Sequence, residues 1–267
     1  MSSQRTALIT GSTTGIGLAT ARALASRGFR IMLNGFGDAD EIEEIRASLG
    51  REFGVETRFH GADLARRDEV VTLFEETAQR LGGPEIIVNN AVTRHYAEIP
   101  DLDPSDWDRA IAVNLTAPFD LCRLALPVMR SAGWGRIVNM SSVMGLAGRS
   151  GRAEYVTTKT GLIGLTRAIA AETLRDPRIT CNAICPGSVL TPFIRERISR
   201  MAAEGGLTWD EMSVAYRKEL GQQGDFIAPE RIAALVAFLC GDDAVDITGV
   251  EIPVDAGLSG TWMEPPP

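Results

Sequence analysis

TALITGSTTGIGLATARALASRG (residues 6–28) lays down a strand, a glycine-rich turn and a helix in one short span. TALIT (6–10) is an apolar run of the length that a buried strand takes. From Ile16 onward, Ala19, Ala23 and Leu24 recur at helical spacing, and the pattern stops at Gly28. Between the two lie Gly11, Gly15 and Gly17. Glycines at these places permit a tight turn and close backbone approach to a ligand. The helix start adds free N–H groups and the positive end of a dipole, which suits an anion such as a pyrophosphate. An ordinary glycine-rich turn has the same composition, so the motif needs companions before it carries function.

Strand-like and helix-like segments keep alternating. RIMLN (30–34) is the next apolar run, and Ile42, Ile45 and Leu49 form the stripe of a helix whose start, Asp38 with Glu41, resembles a capping box. Strands are expected at 55–60, 85–89, 135–140, 178–184 and 249–253. Helices are expected at about 66–81, 105–132, 153–176, 193–203, 208–220 and 229–240. This order means right-handed crossovers and a parallel sheet covered by helices on both faces, an α/β architecture. No repeat or linker interrupts it, so one domain over 1–267 is expected. Two helical segments between consecutive strands at 190–226 form an insertion where a substrate lid would sit. The tail WMEPPP (262–267) suits neither helix nor sheet and is expected on the surface.

Composition narrows the function classes. Of 267 residues, 45% are apolar and 23% charged, an ordinary globular balance. The net charge of −8 argues against a nucleic-acid binder, which needs a basic face. No window approaches ~18 uninterrupted apolar residues, and MSSQRTALIT carries no leader-like run. No membrane span is expected, and a cytoplasmic location is. Cys181 and Cys185 would lie ~13 Å apart along one strand, beyond the ~7 Å that a disulfide needs. Buried free thiols follow. With only His60 and His95, and no C-x-x-C, no metal site is expected.

The chemistry concentrates later in the chain. Tyr155 and Lys159, in YVTTK, are four apart on an expected helix and share one face. A free phenol is a poor base at neutral pH. An adjacent ammonium favours the phenolate and gives a proton donor and acceptor for alcohol–carbonyl exchange. Ser142, at the end of strand 135–140, can hydrogen-bond the substrate oxygen beside that phenol. Asn114 sits in a helical stretch, AVNLT, where an amide is a mediocre helix former. It is either a solvated position, or a side chain or local backbone break that holds a water linked to Lys159.

NNA (89–91) and CPG (185–187) before Thr191 join these residues. With the G-x-x-x-G-x-G turn, Asn114, Ser142, Tyr155 and Lys159, they resemble the short-chain dehydrogenase/reductase family over about residues 5–258. The resemblance implies a single-domain, Rossmann-type doubly wound sheet and a nicotinamide dinucleotide. It implies Tyr155 as general acid/base, with Lys159 lowering its pKa and contacting the nicotinamide ribose. Ser142 would orient the substrate, and Asn114 would support a proton relay. Dinucleotide contacts are implied for Gly11, Thr13, Gly15, Ile16 and Gly17. Others are implied for Asn90 and Ala91, and for Pro186, Gly187, Val189 and Thr191. Asp63 and Leu64 match the adenine-binding pair. A homotetramer or homodimer is implied as well, through helix 153–176 with its small residues Gly161, Gly164, Ala168, Ala170 and Ala171. Val92 departs from the family, which has glycine there; its side chain can narrow the nicotinamide approach.

At the end of the second strand, an acid would bind a ribose 2′-hydroxyl and an arginine a 2′-phosphate. Asn34-Gly35-Phe36-Gly37, in which Asn34 and Phe36 are expected to contact the dinucleotide, offers neither charge. A phosphate would lose hydration without gaining a partner, so NAD is favoured over NADP, with Phe36 as a wall beside the adenosine. LNGFGDADEIEEIR (33–46) and NAICPG (182–187) resemble the bacterial 3-hydroxybutyrate dehydrogenase branch. The slots for the hydroxy acid in that branch differ here: they hold Arg94, Met144, Arg152, Ser188, Arg197 and Leu258. Three guanidinium groups in one cleft would suit a strongly anionic substrate, such as a hydroxy acid, a sugar acid or a sulfonated sugar. The alternatives are a 3-oxoacyl-carrier-protein reductase using NADPH, a neutral-sugar or polyol dehydrogenase, and a dinucleotide-binding regulator without catalysis.

Overall fold

Strands Thr6–Ile9 (β1), Arg30–Asn34 (β2), Thr57–His60 (β3), Pro84–Asn89 (β4), Gly135–Met140 (β5), Ile179–Pro186 (β6) and Glu251–Val254 (β7) pair in parallel throughout. Their order across the sheet is β3-β2-β1-β4-β5-β6-β7. The computed structural model describes residues 4–222 and 224–260, so the WMEPPP tail lies outside the described residues.

Each central strand is buried on both faces, which is why its sequence is a continuous apolar run rather than an alternation. One face carries Gly15–Ala25 (α1), Ala39–Phe53 (α2) and Pro229–Leu239 (α9). Leu24, Leu49 and Val236 pack there on Ile9, Ile31 and Val88. The other face carries Arg67–Leu81 (α3), Ala117–Ala132 (α5) and Ala153–Glu172 (α6). Leu73, Leu121 and Ile169 meet Leu8, Ile87 and Ile137 on that side. Pro104–Ile111 (α4) precedes α5, while Pro192–Gly205 (α7) and Trp209–Glu219 (α8) fill the expected 190–226 insertion.

Several boundaries move for physical reasons. The expected helix 105–132 is two helices joined by a wide π turn, Ala112–Thr116, in which the Ala117 N–H reaches back five residues to the Ala112 oxygen. Gly28 does take a left-handed φ of 85°, but α1 has ended three residues earlier, at Ala25. Asp38 caps α2 by accepting from the N–H groups of Asp40 and Glu41. The two-way capping box belongs instead to Thr208 and Glu211, at the start of α8. By length and composition Pro104–Ala132 is apolar enough to cross a membrane, but half of its apolar window is buried, as in a core helix.

The strand order reverses between β1 and β4. Crevices form outside the carboxyl ends of strands at such a switch point. A cleft of about 1180 Å³ opens there, running from the glycine turn to α7 and α8.

Candidate active site

The glycine turn is built for close backbone packing. A methyl group on Gly17 would stand 2.1 Å from the Gly11 oxygen, and one on Gly11 would stand 2.8 Å from the Ala91 Cα. Gly11 and Gly15 also hold left-handed φ values of 61° and 54°. Thr14 precedes α1 without a side-chain cap, so the first N–H groups of that helix face the cleft unblocked by their own chain. This cradle fits a dinucleotide pyrophosphate. Asn90 braces it: its amide donates to the oxygens of Thr10 and Gly11 at 3.0 and 2.9 Å. Asn90 therefore shapes the turn while also lining the cleft. Thr191 lies against the same turn, 3.2 Å from the Cβ position of Gly15, and caps α7 by accepting from Ile194 N–H.

Tyr155 and Lys159 sit on the first turns of α6, both buried. The Lys159 Nζ lies 5.5 Å from the Tyr155 ring centre. Burial pushes the phenol up. Arg94, Lys159, a hydrogen bond with Ser142 and Arg152 all pull it down, and it settles below the ordinary phenol value. Burial lowers Lys159, helped by Arg94 and opposed by the partner phenol. Ser142 begins a short 3-10 turn, Val143–Gly145, and accepts from the Met144 N–H at 3.1 Å. A methyl on Gly145 would meet the Lys159 backbone oxygen at 2.9 Å, so this turn is seated tightly on α6.

Asn114 lies in the π turn. Its Oδ1 accepts from the Thr93 N–H at 2.9 Å, and its Nδ2 donates to the Thr93 oxygen at 3.0 Å and to Thr158 Oγ1 at 3.3 Å. The amide is thus a clamp on the loop after β4. Glu154, 1% exposed, holds the same loop two residues further on by accepting from the His95 N–H at 2.8 Å. The His95 Nδ1 stands 3.1 Å from the Asp106 carboxylate, and Ala97 bridges to Arg152. Sequence reading missed Glu154; an acid in the first turn of a helix reads as an ordinary dipole partner.

This fixed loop presents Arg94 and Tyr96 to the cleft. Arg94 lies 5.7 Å from the Tyr155 ring centre and 5.3 Å from that of Phe193 on α7. Arg152, 4% exposed, lies 4.5 Å from Tyr155 and 4.0 Å from Tyr96. Arg197 of α7 lies 3.9 Å from Tyr96. Each of the three has a buried Nε–H without an acceptor. Met144, Ser188 and Leu258 also line the cleft, though the Ser188 N–H is bound to Gln222. Tyr96 and Tyr216 line the same end and were not foreseen, because aromatic residues in a loop and on a polar helix read as packing.

The sequence profile of the short chain dehydrogenase family matches residues 5–202. The chain belongs to the short-chain dehydrogenase family. D-beta-hydroxybutyrate dehydrogenase of Cupriavidus necator is 40% identical over 253 residues, covering 95% of this chain and 97% of that protein. A 3-oxoacyl-acyl-carrier-protein reductase of Aquifex aeolicus is 34% identical over 95% of this chain and 97% of that one. The crystal structure of L-sorbose reductase from Gluconobacter frateurii, with NADPH and L-sorbose, superposes with a TM-score of 0.90 at 30% identity, covering 97% and 98% of the two chains. This dehydrogenase is therefore an oxidoreductase of the alcohol–carbonyl type, with a Rossmann-type sheet and a nicotinamide dinucleotide as cofactor.

Just past the end of β2, Phe36 is 63% exposed beside the cleft. Its backbone oxygen accepts from the Thr13 hydroxyl at 3.0 Å. The Asn34 amide is spent on the oxygens of His60 and Ala62, both at 3.1 Å, so it ties β2 to the chain after β3. Asp63 and Leu64 line the cleft at this end, with Arg109 3.4 Å from the Asp63 carboxylate. Ile16, Ala91, Val92, Pro186, Gly187 and Val189 complete the walls.

Proposed function

We propose that this dehydrogenase moves hydride between NAD(H) and a secondary alcohol or carbonyl on a small anionic substrate: a hydroxy acid, a sugar acid or a sulfonated sugar. The observation that carries the reading is Arg152, a buried guanidinium lying over the ring of Tyr155 and, among the described residues, without a carboxylate partner. A buried charge left unpaired is costly, and an oxyanion entering the cleft would supply the missing acceptor in a two-pronged geometry.

In the oxidation direction, the Tyr155 phenolate takes the hydroxyl proton as the carbinol C–H bond breaks. A nicotinamide dinucleotide held by the glycine turn would supply the acceptor for the hydride and both electrons of that bond. Ser142 donates to the substrate oxygen and holds it beside the phenol. Lys159 stabilises the phenolate charge. The Asn114 side chain is already engaged, so its part in a relay toward Lys159 falls to the backbone of the π turn. Reduction runs the same steps in reverse.

NAD is supported by the surroundings of Phe36. The adjoining pocket, about 380 Å³, is lined by Phe36, Ile42, Phe59 and Glu43, with no lysine or arginine to meet a 2′-phosphate. The competing reading is an NADPH-dependent reductase, favoured by the likeness to the NADPH-bound sorbose reductase. Initial rates with NAD against NADP separate the two. A homodimer or homotetramer belongs to the same reading, supported by the exposed small face of α6 at Gly164, Ala168 and Ala171. So does a cytoplasmic location.

The test is Arg152→Ala assayed over hydroxy acids, sugar acids, sulfonated sugars and neutral polyols. The expected result is a KM for anions raised at least tenfold. An unchanged KM for every anion would remove this reading.

A further inference from the structure

We propose that the substrate carries at least two negative charges on the part of the molecule that does not react. The inference rests on the anionic-substrate reading above and sharpens it to a charge count.

Guanidinium groups and rings alternate along the cleft. Arg94 and Arg152 share the ring of Tyr155, at 5.7 and 4.5 Å from its centre. Arg152 and Arg197 share the ring of Tyr96, at 4.0 and 3.9 Å. Arg94 also lies 5.3 Å from the ring of Phe193 on α7, so the three charges cluster between the reacting phenol and α7. A guanidinium over a ring leaves its in-plane N–H donors free, and those donors are the ones that grip carboxylate or phosphate oxygens. Tyr96 and Tyr155 therefore hold three cations together at one end of the cleft without neutralising any of them.

The protein's own carboxylates do not answer these charges. Among the described residues, none of the three arginines forms an ion pair or donates a side-chain hydrogen bond. Of the acids lining the cleft, Asp63 stands at the adenosine end beside Arg109, and Glu219 pairs with Arg149 at 2.7 Å. Glu98 is exposed and joins none of them. Buried Glu154 is engaged by the His95 N–H. One carboxylate has two oxygens and occupies one guanidinium fork. A monoanion would leave two further charges in the cleft without a partner. A second carboxylate, or a phosphate, reaches a neighbouring guanidinium of the cluster.

Matched pairs of equal carbon length read this directly: 3-hydroxyvalerate against 3-hydroxyglutarate, and glycerate against 3-phosphoglycerate, with NAD and with butan-2-ol as the neutral control. The kcat/KM of the dianion is expected to exceed that of its monoanion at least tenfold in one pair. Arg197→Gln is expected to shrink this ratio at least tenfold. Calorimetric binding of glutarate against valerate, in the presence of NAD, gives the same ratio without turnover. Monoanions that equal or beat dianions in both pairs and in binding, or a ratio that Arg197→Gln leaves in place, would overturn the charge count. If monoanions are still preferred to butan-2-ol and depend on Arg152, the broader anionic reading survives that result. If butan-2-ol matches every acid and Arg152→Ala changes nothing, the broader reading falls with it. The dicarboxylate and phosphate arms identify which oxyanion is taken.

Discussion

The Nζ of Lys159 donates to the backbone oxygen of Met140 at 2.6 Å, fixing an ammonium on α6 to the last residue of β5. The cation that conditions Tyr155 is thus anchored to the rigid end of the sheet. Lys159→Met removes it and leaves the buried phenol with a higher pKa. The expected loss in kcat is about 10²–10⁴-fold, the usual worth of positioned acid–base catalysis. Tyr155→Phe should lose as much. NADH fluorescence titration should show that Tyr155→Phe still binds the dinucleotide.

Arg94 predicts a shift in pH dependence. Alcohol oxidation needs the phenolate, so kcat/KM should rise with pH and level off above the Tyr155 pKa. Burial raises that pKa; Arg94, Lys159, Ser142 and Arg152 lower it to below the ordinary phenol value. Arg94→Gln deletes one lowering charge, so the rising limb should move to higher pH. Measuring kcat/KM from pH 6 to 11 with a neutral alcohol avoids the binding effect of the same arginine. A limb that stays in place would show that Arg94 does not act on Tyr155.

Gly17→Ala should block the phosphate cradle. Its new methyl would fall 2.1 Å from the Gly11 oxygen, a backbone atom that cannot step aside cheaply. NADH affinity should drop at least tenfold, while circular dichroism reports an unchanged sheet.

Coenzyme choice should respond to Phe36. An arginine there would supply the missing partner for a 2′-phosphate. Phe36→Arg should raise kcat/KM for NADP relative to NAD at least tenfold, as read from initial rates with each coenzyme at saturating alcohol.

Asn114→Ala should loosen the loop that carries Arg94. Three hydrogen bonds vanish, and the Thr93 backbone groups lose their partners. Unsatisfied buried groups cost about 1–3 kcal/mol each, so thermal unfolding should come several degrees earlier. Glu154→Gln, which keeps an acceptor oxygen for the His95 N–H, should cost much less in Tm.

The sheet was legible because its central strands are buried on both faces and so stand out as apolar runs, and because helices packed on it carry a one-sided stripe. Tyr155, Lys159 and Ser142 were legible through spacing, and the structure brings all three to one cleft with Arg94, Arg152 and Arg197. What sequence could not show is how side chains divide between ligand and scaffold. Asn34, Asn90 and Asn114 read as binding or relay groups, yet each spends its amide on backbone atoms of a neighbouring loop. Glu154 and Tyr96 were invisible for the opposite reason, since their roles come from what the fold places opposite them.

The wide turn at Ala112–Thr116 sets a limit on how this chain can change in length. It holds one more residue than a regular helix would need for the same span. Deleting Val113 would let the segment wind as a regular helix over the same span, so α4 and α5 would keep their register. The change would fall inside the turn itself, on the buried Val113 packing and on the Asn114 amide that grips Thr93. A homologue lacking that residue would have to secure its arginine loop by some other anchor.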